Sequence, residues 1–125
     1  MRARILVVDD EPAIAMLLAD VLSADGHEVD VAPDGAVALE RLRATAYDLV
    51  LSDIEMPRLD GIALYDELAL VAPWLRQRIL FVTGTVARPR VARFLAETGA
   101  PVLEKPVPLA ELRRRIRALL ATHLD

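Results

Sequence analysis

The strongest constraint on the fold of this chain is a fivefold alternation between short aliphatic runs and longer stretches with helical periodicity. Four of the runs are continuously apolar, as expected for strands that are buried on both faces of a parallel sheet. The second run instead alternates polar with apolar residues. The predicted strands lie at residues 5–8, 28–31, 49–51, 79–82 and 102–103.

After each strand, apolar residues recur three and four positions apart, which predicts five amphipathic helices. Gly26 and Gly99 stand where the first and fourth of these helices would end. Five strand–helix units in succession favour a doubly wound α/β fold, in which helices cover both faces of a parallel sheet. The apolar positions that define the helices fall within residues 14–22, 36–42, 62–70, 91–97 and 109–120.

The composition limits the class of protein without identifying it. A chain of 125 residues fits one domain that can bury its own core. The net charge of −4 does not favour binding to nucleic acid, and a chain without cysteine has no disulfide or thiolate chemistry. No apolar run approaches the length of a membrane span or of a signal-peptide core. These observations predict a cytoplasmic protein with no membrane partner.

Charged and hydroxyl side chains gather at the carboxyl ends of the predicted strands, where ligands bind in doubly wound sheets. Neighbouring strands lie about 5 Å apart, so side chains at their tips can converge on one small site. The residues at these positions are Asp9, Asp10 and Glu11 after the first strand, Asp53 after the third, Thr83 after the fourth, and Glu104 and Lys105 after the fifth.

These side-chain types suit the handling of a phosphoryl group with a divalent cation. Crowded carboxylates disfavour one another's ionisation, and Mg²⁺ relieves that repulsion because it prefers oxygen ligands. The ammonium group of Lys105 suits phosphoryl oxygens, and a carboxylate can be the nucleophile that accepts a phosphoryl group. The set therefore predicts Mg²⁺-assisted transfer of a phosphoryl group to an aspartate. Taken alone, the three acids after the first strand also fit a plain charged helix start.

Four segments carry a resemblance to a known family. "VVDDEP", "LVLSDIEMPRLDG", "ILFVTG" and "VLEKP" occur in this order and span nearly the whole chain. Through them the sequence resembles the receiver domain of two-component response regulators. The resemblance implies a flavodoxin-like fold, with a five-stranded parallel sheet in the order 2-1-3-4-5 flanked by five helices. It also implies that residues 1–125 form a single receiver domain with no output domain.

The resemblance implies a role for each matching acid. Asp53 would be the phosphoacceptor, and it would also be a ligand of Mg²⁺. Asp10 would bind the metal directly, and Asp9 would help mainly through water. Glu55 would contribute its backbone carbonyl to the metal. These roles make Mg²⁺ the expected cofactor.

The resemblance also assigns the other strand ends. Lys105 would contact the phosphoryl oxygens, and Thr83 would swing its hydroxyl toward the phosphoryl group and so report the modification. The peptide bond between Lys105 and Pro106 would be cis. Val102 departs from the family pattern, which often has an aromatic residue there, so the usual aromatic switch is absent or altered. Glu55 and Thr85 occupy variable positions that tune phosphate lifetime in the family.

The expected partner is a histidine kinase or a histidine phosphotransfer protein. The resemblance also allows a homodimer through the face formed by the last two helices and the fifth strand. That region carries several arginines, which fit either a solvated helix face or a surface for an acidic partner. The stretch "FLAETGAPVLEKP" is similar to receivers of hybrid histidine kinases, so a stand-alone receiver and a part of a longer protein both remain open.

Two other functions compete with this interpretation. An enzyme that hydrolyses phosphate esters through an aspartyl phosphate would typically have a second aspartate two positions after the nucleophile, where this chain has Glu55. A receiver-like module that binds partners without being phosphorylated would not need the acidic set or Lys105. We therefore expect a phosphorylated signalling domain and not an enzyme.

Overall fold

The computed structural model describes residues 2–121 and shows one parallel sheet of five strands between two layers of helices. The strand order is β2-β1-β3-β4-β5, which confirms the fold that the resemblance implied. The strands are β1 (Arg4–Val8), β2 (Glu28–Ala32), β3 (Leu49–Ser52), β4 (Ile79–Thr83) and β5 (Val102–Glu104). The helices are α1 (Pro12–Ala24), α2 (Gly35–Ala44), α3 (Gly61–Val71), α4 (Pro89–Thr98) and α5 (Leu109–Ala121), with an unpredicted 3-10 helix at Pro73–Gln77.

The central strands are buried because their side chains are apolar on both faces of the sheet. Every residue of β3 and β4 is buried, as are the last four residues of β1. β2 lies at the edge of the sheet and is mostly half-buried, which explains its alternating sequence. β3, β4 and β5 each end one residue later than predicted, so Ser52, Thr83 and Glu104 continue these strands toward the carboxyl edge.

The helices form a separate apolar layer on each face of the sheet. α1 and α5 pack on one face, and α2, α3 and α4 pack on the other. The ring of Phe94 on α4 meets the ring of Phe81 on β4 edge to face, with 5.4 Å between centroids, and this contact helps to fix α4 on the sheet. Within residues 2–121, no helix has the length and apolar character that would let it cross a bilayer.

Aspartates begin two of the helices that follow the carboxyl edge. The side chain of Asp34 accepts a hydrogen bond from the backbone N–H of Val37, and Asp60 accepts one from Ala63 in the same way. Each carboxylate satisfies an N–H group that the first turn of a helix would otherwise leave unpaired. The starts of α2 and α3 are therefore fixed by their own sequence.

Two glycines let these helix starts lie directly against the loop that follows β3. A Cβ atom at Gly61 would come within 2.5 Å of the backbone oxygen of Asp53, and one at Gly35 would come within 2.2 Å of the backbone oxygen of Leu59. The amide of Gly61 donates to the backbone oxygen of Ile54 at 2.7 Å. The residue after β3 is therefore held by close backbone packing that only glycine permits.

Candidate functional site

The loops at the carboxyl edge of the sheet enclose an open pocket of about 310 Å³. It is lined by the residues that the sequence placed at the strand ends, except for Asp9, which is buried, and Glu104. A larger cavity of about 410 Å³ between α1 and α5 lies at the other end of the strands and lacks this acid cluster. The lining residues of the smaller pocket are Asp10, Glu11, Asp53, Glu55, Thr83, Gly84, Thr85 and Lys105.

Asp53 is held at the centre of this edge by contacts on every side. Its amide donates to the backbone oxygen of Val8 on β1 at 2.9 Å, and its Oδ1 accepts from the amide of Ile54 at 2.7 Å. Oδ2 accepts from Nζ of Lys105 at 2.9 Å. Only 7% of the residue is exposed. The third strand is therefore followed by a carboxylate whose position is fixed before any ligand arrives.

Three carboxylates meet beside one another at the first and third strand ends. Asp9, Asp10 and Asp53 each offer an oxygen, and these oxygens lie within 4.8 Å of one another. Asp9 and Asp53 are buried, whereas Asp10 is exposed. Clustered carboxylate oxygens with one side open to water are the ligand set that a hard divalent cation such as Mg²⁺ prefers. Three of the four predicted metal ligands, the carboxylates of Asp9, Asp10 and Asp53, are thus brought together, and their oxygens fit the cation.

Burial raises the pKa of Asp9 above its ordinary value. The hydrogen bond from the amide of Glu11 and the contacts with Lys105 oppose this rise, while the nearby charge of Asp53 adds to it. The net upward shift means that the ionised form of Asp9 is less stable in the fold than in water. A cation at this position would favour the ionised form.

Lys105 is the positive centre of the site. Its ammonium nitrogen donates to Asp53 at 2.9 Å, to Asp9 at 3.0 Å and to Glu11 at 3.1 Å. Burial alone would lower the pKa of Lys105, but the hydrogen bonds and charges of these carboxylates outweigh burial and raise it. The lysine is therefore fully charged, and its three N–H groups are all used. The peptide bond to Pro106 is cis, as the resemblance implied.

Thr83 lies at the end of β4 with its side chain fully buried. Its hydroxyl shares a hydrogen bond of 2.9 Å with the hydroxyl of Thr85 and accepts one of 3.3 Å from the amide of Thr85. The structure thus places Thr83 on the pocket wall, with its hydroxyl engaged by Thr85. The strand-end position of Thr83 predicted its place on the wall, but nothing in the sequence indicated the contact with Thr85.

The site contains two further contacts that the sequence did not predict. Glu11 holds the ammonium group of Lys105, although the sequence offered it only as a neighbour of the first acids. Arg88 forms an ion pair of 3.0 Å with Glu55, which lines the pocket. Arg88 lies 33 residues from Glu55 in the chain, so no local pattern pointed to it.

The arginines of α4, of α5 and of the loop before α4 are mostly paired with acids of the same molecule. Arg90 binds Asp60 at 2.6 Å, and Arg113 binds Asp25 at 2.8 Å. Arg114 and Arg115 both contact Glu111. These pairs neutralise much of the basic surface that the sequence indicated, which favours a solvated face over a broad surface for an acidic partner.

Comparison with known proteins gives one consistent family. The family model for the response regulator receiver domain matches residues 5–117. The response regulator MprA of Mycobacterium ulcerans (strain Agy99) is 40% identical over 121 residues, which cover 96% of this chain and 51% of MprA. The transcriptional regulatory protein TcrA of Mycobacterium tuberculosis is 38% identical over 93% of this chain and 45% of its own length. The chain therefore spans about half the length of the curated relatives it matches.

Solved structures with the same fold include a response regulator and the receiver domain of a histidine kinase. The response regulator TrrA of Thermotoga maritima, solved in complex with Mg(2+)-BeF, is 34% identical with a TM-score of 0.79, covering 95% of this chain and 99% of that one. The signal receiver domain of a signal transduction histidine kinase from Syntrophus aciditrophicus is 30% identical with a TM-score of 0.85, covering 95% and 90%.

Proposed function

This chain belongs to the response regulator receiver domain family. On that premise we propose that Asp53 is its phosphoacceptor and that a histidine kinase or a histidine phosphotransfer protein supplies the phosphoryl group. The observation that carries the proposal is the placement of Asp53, which shares an acid cluster with Asp9 and Asp10 and lies 2.9 Å from the ammonium of Lys105. In the transfer, an oxygen of Asp53 forms a bond to phosphorus. The bond from phosphorus to the donor histidine breaks, and its electron pair stays on the histidine nitrogen.

We propose that the metal at this site is Mg²⁺. The carboxylates of Asp9, Asp10 and Asp53 and the backbone carbonyl of Glu55 would hold it. When bound, it would neutralise the crowded acids and the charge of the incoming phosphoryl group. The TrrA structure, which contains Mg(2+)-BeF, supports this choice because TrrA shares the fold and a third of its residues with this chain.

Lys105 and Thr83 would respond to the new group. Lys105 already donates to Oδ2 of Asp53, so its ammonium group is close enough to donate to the phosphoryl oxygens once Asp53 is modified. Thr83 would leave its partner Thr85 and donate its hydroxyl to the phosphoryl group. The modification adds about two negative charges, which would bias the loops between two arrangements.

We propose that the change is read at the face formed by α4, β5 and α5, and that this face is also the surface for a homodimer. Residues 1–125 would act as one receiver domain, as a regulatory acceptor in the cytoplasm and not as an enzyme. The net negative charge gives this domain no surface field that would attract nucleic acid. Glu55, at the position where a phosphohydrolase would need its acid, is ion-paired to Arg88, which speaks against hydrolysis of phosphate esters.

The test is a phosphorylation assay read by intact mass. The chain is incubated with Mg²⁺ and acetyl phosphate, in parallel with Asp53→Asn and with a sample in excess EDTA. We expect one phosphoryl group on the wild-type chain, and none on Asp53→Asn or without the metal. Equal labelling of the wild-type chain and Asp53→Asn would overturn the assignment of the acceptor, and turnover of a phosphate ester would favour the enzyme instead.

A further inference from the structure

Five carboxylates surround the place where the phosphoryl group would be transferred, and a single lysine lies among them. The acids are Asp9, Asp10, Glu11, Asp53 and Glu55, and the lysine is Lys105. Phosphoryl donors are anions, so every acid that lacks a counter-ion opposes their approach. The balance of charge at the pocket mouth therefore affects how fast Asp53 can be modified.

Four of the five acids have an evident source of positive charge. Lys105 contacts Asp9, Glu11 and Asp53 directly. Asp10 belongs to the cluster that fits a divalent cation, together with Asp9 and Asp53. Glu55 is in neither group, because its carboxylate lies outside the cluster and Lys105 pairs with the other three acids instead.

Arg88 supplies the missing charge for Glu55. Its Nη1 donates to Oε2 of Glu55 at 3.0 Å. The amide of Arg88 also donates to the backbone oxygen of Thr85 at 3.0 Å. This hydrogen bond closes the turn that follows Thr83 and fixes the backbone of Arg88. The other oxygen of Glu55, Oε1, is buried and has no hydrogen-bond donor among residues 2–121. Within the described part of the chain, Arg88 is thus the one hydrogen-bond donor to the carboxylate of Glu55, at the wall of the pocket.

We propose that Arg88 is a positioning residue for entry of the phosphoryl donor. It neutralises Glu55 and holds that carboxylate at the pocket wall, so that an anionic donor can reach Asp53. Arg88 acts through Glu55 and does not itself touch the reacting atoms. This inference rests on the proposed function, because it concerns the rate at which Asp53 is modified.

The experiment measures the initial rate of labelling by acetyl phosphate at saturating Mg²⁺ and low ionic strength. We expect Arg88→Gln to slow labelling by roughly tenfold, because one counter-charge at the mouth is lost. Arg88→Lys should retain most of the rate. In a Glu55→Gln background, Arg88→Gln should have little effect, because no charge is left to neutralise. The difference should shrink as salt is added, since the side chain of Arg88 is exposed and that of Glu55 is half-buried.

Arg90→Gln is the matched control. Arg90 lies two positions further along and also bridges to the loop after β3. Its partner Asp60 does not line the pocket, whereas Glu55, the partner of Arg88, does. We expect its labelling rate to equal that of the wild-type chain. Equal slowing by Arg88→Gln and Arg90→Gln would overturn the inference, because it shows a structural effect. The same slowing by Arg88→Gln with and without the charge of Glu55 would also overturn it, because it shows that Arg88 does not act through Glu55.

Failure of the proposed function gives a different result. A wild-type chain that takes no label at Asp53 would remove the premise and this inference together. A wild-type chain that is labelled at Asp53, with Arg88→Gln labelled at the same rate, would overturn only the role of Arg88.

Discussion

The ammonium nitrogen of Lys105 lies 2.9 Å from Oδ2 of Asp53, although 52 residues separate the two in the chain. The same nitrogen also contacts Asp9 and Glu11, and only 14% of the lysine side chain is exposed. Lys105 therefore acts as a built-in cation that balances the acid cluster. A divalent cation that binds here must share these carboxylates with the lysine.

The first prediction concerns removal of this built-in cation. In EDTA, Lys105→Met should lower the free energy of unfolding by about 3 kcal/mol, because it leaves buried carboxylates without their partner. Addition of Mg²⁺ should recover more stability in the variant than it adds to the wild-type chain. Urea unfolding with EDTA and with Mg²⁺ measures both effects.

An exposed arginine provides the control for the lysine. Arg114 pairs with Glu111 at the surface, and Arg114→Gln should leave the free energy of unfolding nearly unchanged with or without Mg²⁺. If Lys105→Met were as stable in EDTA as Arg114→Gln, the lysine would not be balancing the cluster.

The second prediction concerns the pH dependence of stability at Asp9. Burial raises the pKa of Asp9, so its charge opposes folding when the pH is above that pKa. We expect Asp9→Asn to be more stable than the wild-type chain in metal-free buffer near neutral pH. The difference should shrink as the pH falls below the raised pKa and should vanish below the ordinary pKa of an aspartate, where the carboxyl is neutral in both the folded and the unfolded chain. Chemical unfolding across a pH series measures it.

Addition of Mg²⁺ separates the stability that the Asp9 charge costs in the metal-free chain from the contribution of that charge to metal binding. With saturating Mg²⁺ the wild-type chain should gain stability by binding, whereas Asp9→Asn should gain less because one ligand is weakened. A variant that is less stable than the wild-type chain in metal-free buffer would contradict the idea that Asp9 is kept at the expense of stability.

The third prediction concerns Asp34, whose pKa shifts in the other direction. The hydrogen bond from the amide of Val37 lowers the pKa of Asp34 most, against the effect of burial, and the guanidinium of Arg58 lowers it further. Asp34→Ala should cost about 2 kcal/mol near neutral pH, because α2 loses its cap and Arg58 loses its partner. This stability is present above the ordinary pKa of an aspartate and is lost as the pH falls through the lowered value.

Asp34→Asn separates the two contributions of that side chain. Asparagine keeps the cap but not the charge, so its cost should be smaller than that of Asp34→Ala and should come mainly from the pair with Arg58. Equal unfolding free energies for Asp34→Ala and the wild-type chain near neutral pH would show that the buried carboxylate does not hold the start of α2.

The fold and the centre of the site could be predicted because their signals are local. The aliphatic run before Asp53 identifies a strand, and the acid that follows it must then stand at the carboxyl edge. Arg58 and Arg88 could not be predicted, because each pairs with an acid 24 or 33 residues away, and the pairing depends on how two loops meet. The register of these loops is set by packing across the sheet, which no short sequence window contains.

The 3-10 helix after α3 was missed for a related reason. Pro73 ends one helical pattern and begins a turn, and proline fits the first position of either an α-helix or a 3-10 helix. Within this helix Leu75 is buried in the core, and that burial fixes the turn against the sheet. A single proline in the sequence does not reveal that tertiary contact.

The last prediction concerns Gly61, which lies against the backbone of the phosphoacceptor. A Cβ atom there would come within 2.5 Å of the backbone oxygen of Asp53 and 2.8 Å of Cα of Ile54, and neither atom can move without moving Asp53. Gly61→Ala should therefore cost about 3 kcal/mol of unfolding free energy and should also slow labelling of Asp53.

Gly99 is the matched control. Its φ of 65° strains alanine, but beyond Gly99 and its two chain neighbours no atom of residues 2–121 lies within 4 Å of a Cβ atom built there. Gly99→Ala should cost about 1 kcal/mol and leave labelling unchanged. Equal effects of the two substitutions on labelling would show that close packing at Gly61 does not position Asp53.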